Sequence, residues 1–268
     1  MDLAADELER ALGVARTAAL EGGAILAEHL GNIEAADIRR KSSARDLVTA
    51  ADVAVERHLV ALLRGHFPGH AIEAEEEAKD APAPGVPRWF LDPLDGTVNF
   101  VHGLPAYCVS IGLWIDARPQ VGVVHVPPLA ETFTAARGMG AACNGRPIHV
   151  SAAATLGEAL LATGFPYRLG ELANDNLGNF AAISRRVRGM RRFGSAALDL
   201  CLVAAGRLDG FWELHLEPHD VSAGGLIVAE AGGRVTAVGG GPQWLRGRSI
   251  VAAPAPIHAA LIALLEGP

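Results

Sequence analysis

The feature that narrows this sequence most is its run Trp89-Phe90-Leu91-Asp92-Pro93-Leu94-Asp95-Gly96-Thr97. Three bulky apolar residues read as a buried strand. Asp92 then stands at the strand's end, Pro93 and Gly96 force a turn, and Asp95 returns to the same side. Two carboxylates brought together this way repel, which raises the pKa of one, and a divalent cation between them keeps both ionised. Asp-Pro and Asp-Gly pairs also make ordinary turns, so the segment alone leaves a purely structural role open. The residues that follow weigh against that role. Gly96-Thr97-Val98-Asn99-Phe100 can open a short helix, whose N–H groups and dipole attract phosphate, with Gly96 allowing close approach and Thr97 adding a hydroxyl.

More carboxylates lie upstream, in Glu75-Glu76-Glu77 and at Asp52, and downstream at Asp220 in Glu217-Pro218-His219-Asp220-Val221. Taken singly, the glutamate run reads as a solvated loop and Asp220 as a helix cap.

The surrounding pattern predicts mixed α and β layers. Residues 3–30 carry Leu8, Leu12, Ala15, Ala19, Ile25 and Leu26 at helical spacing, weakened by Gly22 and Gly23. A second helix repeats Val53, Val55, Leu59, Leu62 and Leu63 and stops at Phe67-Pro68-Gly69. Residues 31–45 between these helices read as a mobile loop. Strands are predicted at 89–91, 107–115, 121–126 and 132–136, with a turn at Asn144-Gly145. Beyond Ser151 the pattern alternates: strands at 159–163, 211–213, 234–238 and 249–252, and helices at 171–188, 195–205, 220–231 and 256–265. A soft boundary near Ser151 divides an N-terminal α+β region, 1–150, from a C-terminal α/β region, 151–268.

Charge and cysteines exclude several classes. A net charge of −7 gives no global positive field for DNA or RNA. The local basic cluster Arg185, Arg186, Arg188, Arg191 and Arg192 reads as a solvated helix end. Cys108, Cys143 and Cys201 are odd in number and widely spaced, which predicts reduced structural thiols. With no signal-peptide pattern and no apolar run of about 18 residues, the expectation is a cytoplasmic protein without a membrane partner. No Gly-x-x-x-x-Gly-Lys loop is present, and Gly194-Ser195-Ala196 lacks the Gly-x-Ser-x-Gly elbow. His215 and His219 are four apart, but Pro218 between them breaks any helical zinc pair.

The segments Asp46-Leu47-Val48-Thr49-Ala50-Ala51-Asp52, Glu75-Glu76, Asp92-Pro93-Leu94-Asp95-Gly96-Thr97-Val98-Asn99-Phe100, Gly194-Ser195-Ala196-Ala197 and Asp220-Val221 before Ala223-Gly224 occur together, in order. In this combination the chain resembles the inositol monophosphatase family over residues 41–252. The resemblance implies an alternating αβαβα sandwich of the inositol monophosphatase and fructose-1,6-bisphosphatase type. It implies two or three Mg2+ ions, one held by Glu75, Asp92 and the carbonyl of Leu94, a second by Asp92, Asp95 and Asp220, and a weaker third near Glu75. Oxygen-only ligands suit that ion.

By the same resemblance, Glu75 and Thr97 position the attacking water, with Asp52 orienting Thr97. The N–H groups of Gly96 and Thr97 bind phosphate, while Asp95, the Gly194-Ser195-Ala196 backbone and Glu213 face the alcohol. The implied activity is hydrolysis of inositol monophosphate by a lithium-sensitive, cytoplasmic homodimer. The alternatives are another small phosphate monoester, namely histidinol phosphate, a sugar bisphosphate or adenosine 3′,5′-bisphosphate, or a non-catalytic protein that binds a macromolecule. Two positions depart from the family: Ala74 stands where glycine is usual, and His219 where tryptophan is usual.

Overall fold

The computed structural model describes residues 2–31, 39–40, 47–167 and 172–265. Helix α1 (Ala5–His29) buries Leu8, Ala11, Ala15, Ala18, Ala19 and Leu26 along one stripe. It runs unbroken through Gly22 and Gly23, where the sequence predicts a weak point. A side chain at Gly23 would collide with the ring of His125, so that glycine lets the helix lie directly on the sheet. The predicted loop at 31–45 falls almost wholly outside the described residues, apart from Gly31 and the strand residues of β1 (Arg39–Arg40), which pair with β2 (Leu47–Val48). Helix α2 (Ala50–His66) opens on a reciprocal cap: Thr49 Oγ1 accepts from Ala51 N at 3.2 Å, and Asp52 Oδ2 accepts from Thr49 N at 2.9 Å.

A seven-stranded sheet follows, in the order β3-β4-β5-β6-β7-β8-β9. Its strands are β3 (Ala71–Ala74), β4 (Arg88–Asp95), β5 (Cys108–Ile115), β6 (Arg118–Val126), β7 (Glu131–Ala136), β8 (Ala141–Cys143) and β9 (Arg146–Pro147). Only the β3/β4 pair is parallel. Between β4 and β5 lies the short helix α3 (Thr97–Val101). The β8–β9 hairpin turns on Asn144 (φ 49°) and Gly145 (φ 76°), the left-handed pair that an Asn-Gly turn requires.

The second sheet has five strands in the order β11-β10-β12-β14-β13. It comprises β10 (Leu160–Thr163), β11 (Gly189–Arg191), β12 (Gly210–Leu214), β13 (Arg234–Thr236) and β14 (Ser249–Ala253), interleaved with α4 (Leu177–Ser184), α5 (Ala196–Ala204), α6 (Pro218–Glu230) and α7 (Ala255–Ile262). The predicted helix at 171–188 is corrected to the shorter α4. Asn176, fully buried at φ 72°, starts it, donating through Nδ2 to Thr163 Oγ1 and Gly164 O and accepting from Trp212 Nε1 at 2.8 Å. The arginine cluster therefore straddles the end of α4 and the edge strand β11 rather than one helix.

Three apolar interfaces define the layers. Leu26, Leu59 and Leu63 of α1 and α2 pack on Trp89, Leu91 and Ile111 of the first sheet. Phe90, Trp114 and Phe133 on its other face meet Leu200, Leu226 and Ile227 of α5 and α6, which also cover Phe211 and Ala252 of the second sheet. Trp212 and Val251, on that sheet's far face, meet Ile183, Ile257 and Leu261. Neighbouring residues such as Trp89 and Phe90, or Phe211 and Trp212, thus point to opposite layers, as strand periodicity demands. The result is the αβαβα sandwich. Among the described residues no helix is long and apolar enough to cross a membrane, and Cys108, Cys143 and Cys201 are free thiols.

Candidate active site

The site begins where β4 leaves the sheet. Its pairing with β5 shifts register between Asp92 and Asp95, so Pro93 and Leu94 are taken up in a bulge and both aspartates reach the same cavity. Asp92 is 2% exposed, and its Oδ1 accepts from Leu94 N at 3.0 Å. Gly96 then adopts φ 97°, and a Cβ there would lie 2.6 Å from Ala106 O, so only glycine closes this turn into α3.

Asp95 is fastened across the molecule. Its Oδ2 accepts from Ser195 Oγ and Ala197 N, both at 2.7 Å, at the start of α5. Asn99 adds a second tie, donating through Nδ2 to Ala106 O at 2.7 Å and Phe193 O at 2.8 Å. Thr97 Oγ1 lies 3.2 Å from Asp52 Oδ1 and 3.0 Å from Leu94 O. Asp52 is fully buried, and its Oδ2 also accepts from Thr49 Oγ1 at 2.6 Å.

Glu75 follows β3, its N–H donating to Leu91 O at 3.0 Å. The loop beyond is held by Glu56 of α2, whose oxygens accept from Glu76 N, Glu77 N and Ala78 N at 2.7, 2.6 and 2.8 Å. Ala74 is fully buried and accommodates its methyl group in the apolar layer between the first sheet and α1 and α2. Asp220 sits in the first turn of α6, with Oδ2 accepting from Glu217 N at 2.7 Å. Glu213 lies on β12.

These elements enclose a cavity of about 510 Å³. Glu75, Asp92, Leu94, Asp95, Gly96, Thr97, Gly194, Ser195, Ala196, Glu213 and Asp220 all line it, so of the residues given a catalytic, metal-holding or substrate-facing role from sequence only Asp52 stands behind the wall, in contact with Thr97. The sequence reading did not single out Glu56 or Arg248, gave Asn99 no role of its own within the quoted motif, and took Arg192 as part of a solvated helix end, whereas it lines the cavity. Arg192 and Arg248 are the lining cations among the described residues. For Glu56 a signal existed: it falls four residues after Asp52, on the same face of α2.

The carboxylates crowd one another. Burial, then Glu75, Asp95 and Asp220, hold Asp92 well above the usual carboxylate range. Burial and Asp220 push Asp95 up to about 7 against the opposing hydrogen bonds from Ser195 and Ala197. Burial, Asp220 and Asp95 push Glu213 up to about 8, with Arg192 opposing. Burial also raises Asp220, opposed by His219 and by the Glu217 N–H. A divalent cation relieves this repulsion, and converging oxygen donors are the right chemistry for a hard ion. Glu75, Asp92 and His219 each offer a ligand atom, all within 4.8 Å of one another. The residues present therefore fit a metal centre.

Comparison with known proteins agrees with this geometry. The profile described as "Inositol monophosphatase family" matches residues 7–267. The chain is 42% identical over 252 residues to the inositol-1-monophosphatase of Synechocystis sp., covering 94% of this chain and 87% of that protein. It is 41% identical over 261 residues to Nus factor SuhB of Pseudomonas aeruginosa, covering 95% of each. The solved structure of inositol monophosphatase from Anabaena superposes with a TM-score of 0.87 at 42% identity, covering 96% of both chains. The chain belongs to the inositol monophosphatase family.

Proposed function

We propose that this protein is a magnesium-dependent phosphatase that hydrolyses a small phosphate monoester, with inositol 1-phosphate as its substrate. The family is metal-dependent and its members bind phosphate esters. The observation that carries the reading is the convergence of Glu75, Asp92, Asp95, Glu213 and Asp220, from separate elements, on one cavity that also exposes the start of α3.

In this reading Glu75, Asp92 and the Leu94 carbonyl hold one ion, and Asp92, Asp95 and Asp220 a second. Bound there, such ions neutralise phosphate oxygens and make water a nucleophile at neutral pH. Thr97 and Glu75 orient the attacking water, and Asp52 fixes the Thr97 hydroxyl by accepting its proton in a hydrogen bond. The first N–H groups of a helix have no intrahelical acceptor, so those of Gly96 and Thr97 are free of α3's own ladder and bind phosphate oxygens. Asp95, the Gly194-Ser195-Ala196 backbone and Glu213 supply donors and acceptors to a polyol, where any hydroxyl left unpaired weakens binding. A cytoplasmic, lithium-sensitive homodimer goes with this assignment.

Phosphate release from a panel of monoesters, with and without magnesium, tests it. Inositol 1-phosphate is expected to be cleaved only with the ion present. Release from histidinol phosphate, a sugar bisphosphate or adenosine 3′,5′-bisphosphate, with little from inositol 1-phosphate, overturns the substrate. The similarity to a Nus factor supports a second reading, in which the fold serves macromolecular binding through the arginines at the end of α4 and on β11. No phosphate release from any ester, together with salt-dependent RNA or protein binding, would establish that reading instead.

A further inference from the structure

His219 is the nitrogen donor at the acidic end of the cavity. It occupies the second position of α6, directly after Pro218, whose ring fixes the backbone as the helix opens. The side chain is 14% exposed, and its Nε2 lies 3.6 Å from Asp220 Oδ1, longer than a hydrogen bond. The contact with Asp220 is an ion pair only when the ring is charged, and a neutral ring keeps a nitrogen lone pair with which to bind a cation. The ligand atoms of Glu75, Asp92 and His219 meet within 4.8 Å although Glu75 follows β3, Asp92 belongs to β4 and His219 to α6. The other lining imidazole, His215, has its Nε2 occupied by Asn174 O at 2.7 Å.

We infer that His219 completes one metal position as a nitrogen ligand beside Glu75 and Asp92, so that this centre holds manganese or another divalent transition ion more tightly than an all-oxygen centre would. The inference rests on the reading of the cavity as a site for divalent cations and deepens it. An imidazole nitrogen adds little for magnesium, which demands oxygen and sheds water reluctantly. The same nitrogen is a good ligand for the first-row transition ions, whose affinities climb from manganese towards copper. The tryptophan usual at this position in the family offers no lone pair of this kind.

The test uses the full chain loaded with Mn2+ and pulsed electron paramagnetic resonance, which detects a 14N nucleus bonded to the ion without reference to activity. The wild-type protein is expected to show 14N coupling. His219→Gln and His219→Trp are each expected to lose it and to bind Mn2+ about tenfold more weakly, while Mg2+ affinity, read by competition, changes less. Bound Mn2+ without 14N coupling in the wild type, or coupling that persists in both variants, overturns the role of His219 and leaves the cation site standing. Failure of the wild type to retain Mn2+ at all overturns both.

Discussion

Glu56→Ala asks whether the loop carrying Glu75 is held from behind by α2. Glu56 is 1% exposed and takes three backbone N–H groups, from Glu76, Glu77 and Ala78, at 2.6 to 2.8 Å. Hydrogen bonds to a charged acceptor contribute about 1.5–3 kcal/mol each, which sets a ceiling of roughly 4.5–9 kcal/mol for the group. The ceiling is not reached, because Glu77 is exposed and Glu76 and Ala78 are half-buried, so water takes over part of the acceptor's work. The expected loss is about 3 kcal/mol, large for a single substitution. Activity is expected to fall about 100-fold in kcat/KM, because Glu75 loses its fixed position. Glu56→Gln keeps the shape but turns an amide donor towards an N–H group, and is expected to lose somewhat less. Urea unfolding measures the stability, and hydrogen exchange at residues 75–78 reads the loop directly. If Glu56→Ala unfolds within about 0.5 kcal/mol of the wild type with exchange at 75–78 unchanged, the reasoning is refuted.

Gly96→Ala is expected to cost about 3 kcal/mol through left-handed strain and the collision with Ala106 O, and to weaken magnesium binding; calorimetry showing unchanged affinity refutes it. The pH dependence follows from Asp95, raised to about 7, and Glu213, raised to about 8. Below the ordinary carboxylate range both states are protonated; from there up to about 7 for Asp95 and about 8 for Glu213 the unfolded chain has released protons that the folded, metal-free protein still holds, so its stability falls over that range and levels off above it. A divalent cation favours the ionised form, so binding at pH 7 is expected to release protons, and a calorimetric heat independent of buffer ionisation refutes that expectation. Asp199 is 1% exposed, its Oδ1 has no hydrogen-bond partner, and burial with Glu213 and Asp95 raises its pKa well above the usual range. Asp199→Asn is therefore expected to stabilise the protein more at pH 8 than at pH 5, and an equal effect at the two values refutes the assignment.

What could be read from the sequence was what neighbouring residues decide among themselves. The run from Trp89 to Thr97 spells a buried strand, a break and a helix start, and the structure builds β4, a bulge and α3 there. The alternation of apolar residues foretold layered sheets and helices, and Phe67-Pro68-Gly69 foretold the end of α2. The failures came where a distant partner decides. The pattern at 171–188 looked helical, yet Asn176 buries itself against Trp212 and Thr163 and starts the helix late. Gly23 looked like a weak point until His125 was placed against it. Glu56 shows its place four residues after Asp52, on the same face of α2, but what it binds is decided only when residues 76–78 fold over it. The meeting of Glu75, Asp92 and Asp220 was inferred from the family resemblance, since nothing local specifies it.

That meeting works against folding. Asp92 carries the repulsion of Glu75, Asp95 and Asp220 while almost wholly removed from water, and left to themselves these groups would separate. They are held by the layers behind them. Trp89 and Leu91 root β4 in the layer under α1 and α2, whereas Phe90 roots it in the layer shared with α6. Val221 and Leu226, buried in that same shared layer, fix the helix that carries Asp220. Pulling any one carboxylate away would strip apolar surface from a close-packed interface, at about 25 cal/mol per Å² exposed. In the metal-free protein bound protons answer that repulsion, as the raised pKa values of Asp92, Asp95 and Glu213 require, and the ion that displaces them finds its ligands already in place.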